Sequence, residues 1–197
     1  SVIPGYRGSR KAHDAVVARG RDVLLHLPME PHGYPGVDPG KNPILVDLSE
    51  GEIRDRMGKH LGNLPKACGV SNHMGTLATQ DPEVMRAVLK MTKERGLFFL
   101  DGRTTPRSVG KKVAEEVGVV CLENNIFLDT GKKDEKSVRK LFEKAEKIAL
   151  AKGRVVVTGH LNPGTLKALK NKLPGLDKKG IKLVPLSALA RTPSDVL

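Results

Sequence analysis

Aromatic side chains make up only 3% of this chain and tryptophan is absent, so stacking platforms for single-stranded bases are scarce. Cysteine is nearly absent too. Cys68 and Cys121 are the only two, both inside apolar runs and without C-x-x-C spacing. They read as small buried hydrophobes and exclude a disulfide framework or a cysteine-based zinc site. No apolar run approaches the roughly 18 to 20 residues needed to cross a bilayer. The first residues, SVIPGYRGSR, lack the charged-then-apolar layout of a signal peptide. The motifs G-x-G-x-x-G, G-x-x-x-x-G-K-[ST] and G-x-S-x-G are missing, which leaves nucleotide-binding and serine-hydrolase readings without a starting point.

What is present is a basic chain of 197 residues with 39% apolar composition, long enough to bury a core as a single domain over 1–197. The net charge of +12 favours anionic partners such as acidic glycans, lipid headgroups or nucleic acid. The stretch KKDEKSVRKLFEKAEKIALAKG, with Glu143 four residues before Lys147, reads as a solvated helix face with opposite charges interleaved. With aromatics so few, nucleic acid is disfavoured.

Short β-type runs alternate with helical stretches along almost the whole chain, the pattern of β/α units around a parallel sheet. Strands are expected at 2–3, 22–27, 68–72, 97–101, 119–122, 154–159 and 182–186. Ser49 with Glu52 is a capping-box signature ahead of Ile53, Met57 and Leu61 on one helical face. Asp81 and Pro82 form an N-cap and first-turn pair, and Gly96 closes that helix. Two further helices are expected at 137–152 and 165–173. Residues 28–43 hold five prolines and three glycines and are expected to form a loop. Because the chain begins almost inside a strand, an additional strand is expected ahead of Ser1.

Three histidines, His26, His73 and His160, each stand at the C-terminal end of an apolar run. In a parallel sheet those ends share one rim, and neutral imidazoles bind metals or move protons there. Glu30 follows His26 closely, and a carboxylate beside a histidine is ordinary metal-binding chemistry, either as a ligand or orienting the ring. Asp101 and Arg103 follow the most apolar strand, where a carboxylate can orient a catalytic group and an arginine can stabilise developing negative charge; an ion pair closing the loop is the alternative. Asp129, in I-F-L-D, has a similar position. His13, His32 and His60 are read as surface residues.

The ordered blocks DVLLHLPMEP, GVSNHMGT, GLFFLDGRTTPRS, NNIFLD, VVTGHLNPGTLKAL and GIKLVPLSAL resemble the divergent polysaccharide deacetylase family, relatives of the NodB-type carbohydrate esterases. The resemblance implies an α/β fold of the distorted seven-stranded (β/α) barrel type, lacking its first strand in this chain. It implies a divalent metal, zinc first, held by His26, His73 and Glu30, with His160 as general acid and Asp101 and Arg103 shaping the pocket. It also implies hydrolysis of N-acetyl groups on polysaccharide or peptidoglycan, and export to the periplasm. This sequence departs from the broader group in lacking the paired aspartates of the first strand, and Glu30 occupies the place of that group's second imidazole. A noncatalytic envelope protein that binds glycan with the same fold is the alternative.

Overall fold

The computed structural model describes residues 1–190, which divide into two compact units: Ser1–Glu123 with the segment from Pro185, and Asn124–Val184. In the first unit, α1 (Ser9–Val17) precedes β1 (Leu24–Met29), followed by α2 (Glu50–Asn63), β2 (Gly69–Met74), α3 (Pro82–Glu94), β3 (Phe98–Asp101), α4 (Gly110–Val117) and β4 (Cys121–Glu123). The four strands form one parallel sheet in the order β1-β2-β3-β4. Val2 adds a single bridge to the outer edge of β1 at Leu25.

The helix boundaries follow local chemistry. At α2 the Ser49 side chain accepts the Glu52 N–H while the Glu52 carboxylate accepts the Ser49 N–H, the reciprocal capping box read from the sequence. Asp81 caps α3 by accepting the N–H groups of Glu83 and Val84, with Pro82 at the first turn. Ile53, Met57 and Leu61 from α2 join Met85, Val88 and Leu89 from α3 and Leu25, Leu27, Val70 and Phe99 from the sheet in one buried core. Two helices and the sheet contribute to it.

The long proline-rich segment begins later than its composition suggests, because Pro28 and Met29 belong to β1. The hydrogen bonds explain why proline is tolerated. Along β1 the even-numbered residues face the outer edge: His26 N–H donates to Val2 C=O, Ile44 N–H to Pro28 C=O, and Glu30 N–H to Ile44 C=O. The donor that Pro28 lacks therefore falls on the side away from β2, where the ladder does not need it.

The second unit holds β5 (Ile126–Phe127), α5 (Glu135–Lys152), β6 (Val157–Thr158), α6 (Pro163–Lys172) and two short 3-10 turns at Leu173–Gly175 and Asp177–Lys179. β5 and β6 pair in parallel. Val138, Phe142 and Ala145 of α5 pack with Ala168, Leu128 and Ile126 in a separate core. The four-residue helix α7 (Leu186–Leu189) returns to the first unit, where Asp22 accepts the Ser187 N–H and hydroxyl.

The parallel α/β class expected from the sequence is the class observed. Closure into a seven-stranded barrel is not: among the described residues the strands form one four-stranded and one two-stranded sheet. The run 182–186 is not a strand, since α7 starts at Leu186, and β5 is a strand that the pattern did not announce. Two of the three histidines read as surface residues are buried. His13 Nδ1 lies 2.8 Å from Asp14 and its Nε2 accepts the Lys66 N–H. His60 Nε2 lies 2.9 Å from the Asn42 carbonyl. Each sits on the inward face of an amphipathic helix, with its polar ring atoms satisfied locally.

Candidate functional site

The register of β1 on β2 brings two of the rim histidines together. His26 pairs with Ser71 and Pro28 with His73, and side chains two apart on a strand share a face. His26, Ser71 and His73 therefore stand on the same side of the sheet, and the two imidazole centroids are 4.9 Å apart at an interplanar angle of 58°. His26 Nδ1 lies 2.9 Å from the Ser71 hydroxyl, which fixes the ring. Both rings are half-buried.

Glu30 does not join them. Its Oε2 accepts the Val46 N–H at 2.7 Å, and its backbone carbonyl accepts the N–H groups of Leu77 and Ala78. It ties the proline-rich segment to the β2 rim. Among the described residues no three His, Cys, Asp or Glu side chains come close enough to hold a metal ion. The imidazole pair alone fits two positions of a zinc shell, one fewer than the three protein ligands of a catalytic zinc.

Asp101, fully buried at the end of β3, organises the loop that follows it. One oxygen accepts the Arg103 N–H at 2.7 Å and the other the Ser108 hydroxyl at 2.6 Å. A Cβ at Gly110 would stand 2.9 Å from that second oxygen, so glycine there is what lets the loop close. Arg103 has a left-handed backbone, φ 52°, and its guanidinium approaches Glu123 at 3.5 Å. Both residues thus have intramolecular partners, but not as the Asp–Arg ion pair of the alternative: Asp101 holds the Arg103 backbone N–H, and the guanidinium turns to Glu123.

Asn72 carries more of the rim than its position in the sequence reveals. Its Oδ1 accepts the Gly102 N–H at 2.7 Å and its Nδ2 donates to Met74 C=O at 2.8 Å. Thr104 donates to the same carbonyl at 2.8 Å. Met74, directly after His73, is held at φ 55°, a conformation costly for a residue with a Cβ. Strain of this kind persists only where its surroundings enforce it. Asn72 and Thr104 enforce it here and thereby set the backbone from which His73 projects.

In the second unit, His160 has an orienting carboxylate. Its Nδ1 lies 2.9 Å from Oδ1 of Asp129, whose side chain is 1% exposed while that of His160 is 67% exposed. The other Asp129 oxygen accepts the His160 N–H at 2.6 Å, Asn162 Nδ2 at 2.9 Å and the Thr165 hydroxyl at 3.0 Å. Burial pushes the Asp129 carboxyl up, but the hydrogen bonds from His160 and Thr165 outweigh it and hold the group below the ordinary aspartate value. Asn162 also caps α6 by accepting the Thr165 N–H. An ionised aspartate on Nδ1 keeps the proton there, so Nε2 is the nitrogen presented for proton transfer. The sequence signal for Asp129 was the repeated pattern F-L-D, shared by Asp101 and Asp129 at the ends of β-type runs.

The first unit thus carries paired imidazoles on a parallel sheet, and the second unit a carboxylate-oriented histidine. A solved structure described as uncharacterized protein ATU2773 from Agrobacterium tumefaciens superposes with a TM-score of 0.91 over 95% of this chain and 76% of that one, at 24% identity. It supports the fold. The profile of the divergent polysaccharide deacetylase family matches residues 1–190, and the chain belongs to that family. It is 33% identical over 191 residues to an uncharacterized protein of Haemophilus influenzae and 31% identical over 193 residues to the uncharacterized protein YibQ of Escherichia coli. The alignments cover 97% and 98% of this chain but 67% and 59% of those relatives.

Proposed function

We propose that the chain is the core of a metal-dependent hydrolase that removes N-acetyl groups from a polysaccharide or peptidoglycan, working outside the cytoplasm. The observation that carries this reading is the His26–His73 pair, two imidazoles on one face of adjacent strands, with His26, mid-strand in β1 rather than at its end, oriented by Ser71. Family membership gives the pair its chemical context. The remaining ligand would be a carboxylate at the end of an additional strand, as the resemblance to the broader deacetylases implies. When bound, a divalent ion, zinc first, would polarise an amide carbonyl and lower the pKa of a water. His26 and His73 would hold it through neutral nitrogens. Within the second unit, His160, kept in one tautomer by Asp129, has the arrangement of a proton-transfer group.

The test uses a full-length protein. Metal content is measured, and acetate release from N-acetylated oligosaccharides is followed with and without a chelator. Bound metal near one equivalent and chelator-sensitive acetate release are expected, with His26→Ala and His73→Ala each losing metal. Absence of both metal and acetate release removes the enzyme reading. Glu30, engaged by Val46 rather than by the histidines, favours the second reading, a noncatalytic glycan-binding protein. Glycan binding undiminished in His26→Ala/His73→Ala would select it.

A further inference from the structure

The charge of this protein is concentrated in the second unit. Residues 124–184 contain 15 Lys and Arg against 6 Asp and Glu, +9 of the chain's +12. The interleaving suggested by the sequence of α5 survives only in part: Arg139 and Glu143 remain an i,i+4 pair at 3.8 Å, and the acids also reach across to other elements. Glu135 turns to Lys167 at 2.9 Å, Glu143 to Lys172 at 2.8 Å and Glu146 to Lys179 at 2.7 Å. Those acids serve the contacts of α5 with α6 and the following 3-10 turns. Lys136, Lys140, Lys144 and Lys147 recur at i, i+4, i+8 and i+11, so they fall along one side of the helix. All four are exposed, and among the described residues none has an acidic partner within ion-pair distance. They span about 16 Å of the helix axis. Leu150, one turn beyond Lys147, is 61% exposed and ends the same side.

We propose that the Lys136–Lys147 face of α5 docks on an anionic phospholipid surface. A basic row finished by an exposed apolar side chain matches the interface of headgroups and acyl chains. The cations are of the matching kind. The unit has 13 lysines and 2 arginines, point charges suited to a diffuse field rather than the planar forks that read phosphates bidentately. Its aromatics are only Phe127 and Phe142, Phe142 being buried, so a single-stranded nucleic acid would find little to stack on. The docking is peripheral: no helix among the described residues is long and apolar enough to cross a membrane.

The full chain is mixed with vesicles of phosphatidylcholine alone or of phosphatidylcholine with phosphatidylglycerol, and sedimented at increasing salt. Binding to the anionic vesicles only, weakening as salt rises, is expected. Replacing Lys136, Lys140, Lys144 and Lys147 by Gln should weaken it by at least about tenfold. The same change at four exposed lysines of the first unit, Lys11, Lys41, Lys59 and Lys112, should weaken it less than about twofold. Since the chain has no tryptophan, Leu150→Trp is a clean reporter, and its emission should shift to the blue only with anionic vesicles. The proposal is overturned if anionic vesicles are not bound, if both lysine sets weaken binding equally, or if the indole emission of the Leu150→Trp variant does not move in the bound state. Binding to polyphosphate or an oligonucleotide with vesicles ignored would assign the row to a soluble polyanion instead.

Discussion

At the scale of single residues, Asp129 is the side chain whose loss should separate chemistry from folding most clearly. In Asp129→Asn the remaining oxygen can still accept from the His160 N–H, Asn162 and Thr165, but without charge, and the donor amide then faces His160 Nδ1, which carries a proton toward the present carboxylate. That mismatch should cost about 1 to 3 kcal/mol of stability, measured by denaturant unfolding. If His160 moves a proton in turnover, kcat should also fall by roughly 10²- to 10⁴-fold, beyond what the stability loss explains. The pH dependence carries a defined sign. The folded-state value of Asp129 is depressed, so its contribution to stability is present above about pH 4, the unfolded value, and is lost as pH falls through the folded value. The Asn variant should lack this acid-side loss. Asp129 was visible in the sequence as a polar residue following the 119–122 run, but its link to His160 was not, because the two are 31 residues apart and meet only through the pairing of β5, itself not foreseen, with β6.

Among the elements, α2 shows how an amphipathic helix hides a titrating group. Its caps and the apolar positions Ile53, Met57 and Leu61 were legible, whereas His60 at its end was read as exposed. The ring is buried beside Leu61, with Nε2 bonded to Asn42 C=O. Burial pushes its pKa down, against the raising effect of that hydrogen bond, and Arg56 lowers it further. As the pH drops through about 6.5 the unfolded chain takes up a proton that the folded ring resists, so stability falls. His60→Gln keeps a donor for Asn42 and should flatten this part of the profile. The measurement is Tm between pH 7.5 and 5.5, about a unit either side of the unfolded value. A slope identical to that of the parent chain would mean that His60 is not its source.

For the whole molecule, the parallel α/β class could be read from alternating runs because each β/α unit is a local pattern. Sheet closure depends on which distant strands pair, and no periodicity encodes that; hence the four-stranded and two-stranded sheets were not foreseen. The site was half legible for the same reason. That His26 and His73 lie on strands follows from the runs, although β1 continues through Met29 and leaves His26 mid-strand; the engagement of Glu30 by Val46 and of Asp101 by Ser108 depends on loop geometry. Each unit has its own buried core. Native-state hydrogen exchange should therefore sort the slowest amides into two groups, one from β1, β2, α2 and α3 and one from α5 and α6, each with a common opening free energy. A single shared value across both groups would show one cooperative unit.

Pro28 has a consequence for pairing fidelity. If β1 slid by one residue against β2, the odd and even backbone groups would exchange sides, and every side chain would swap faces. The imino nitrogen would then sit in the ladder with β2, at a rung that requires a donor it cannot supply. Proline so placed tolerates one alignment and penalises its nearest competitor, acting as a register lock. The beneficiary is the juxtaposition of His26 and His73, which only the observed alignment produces.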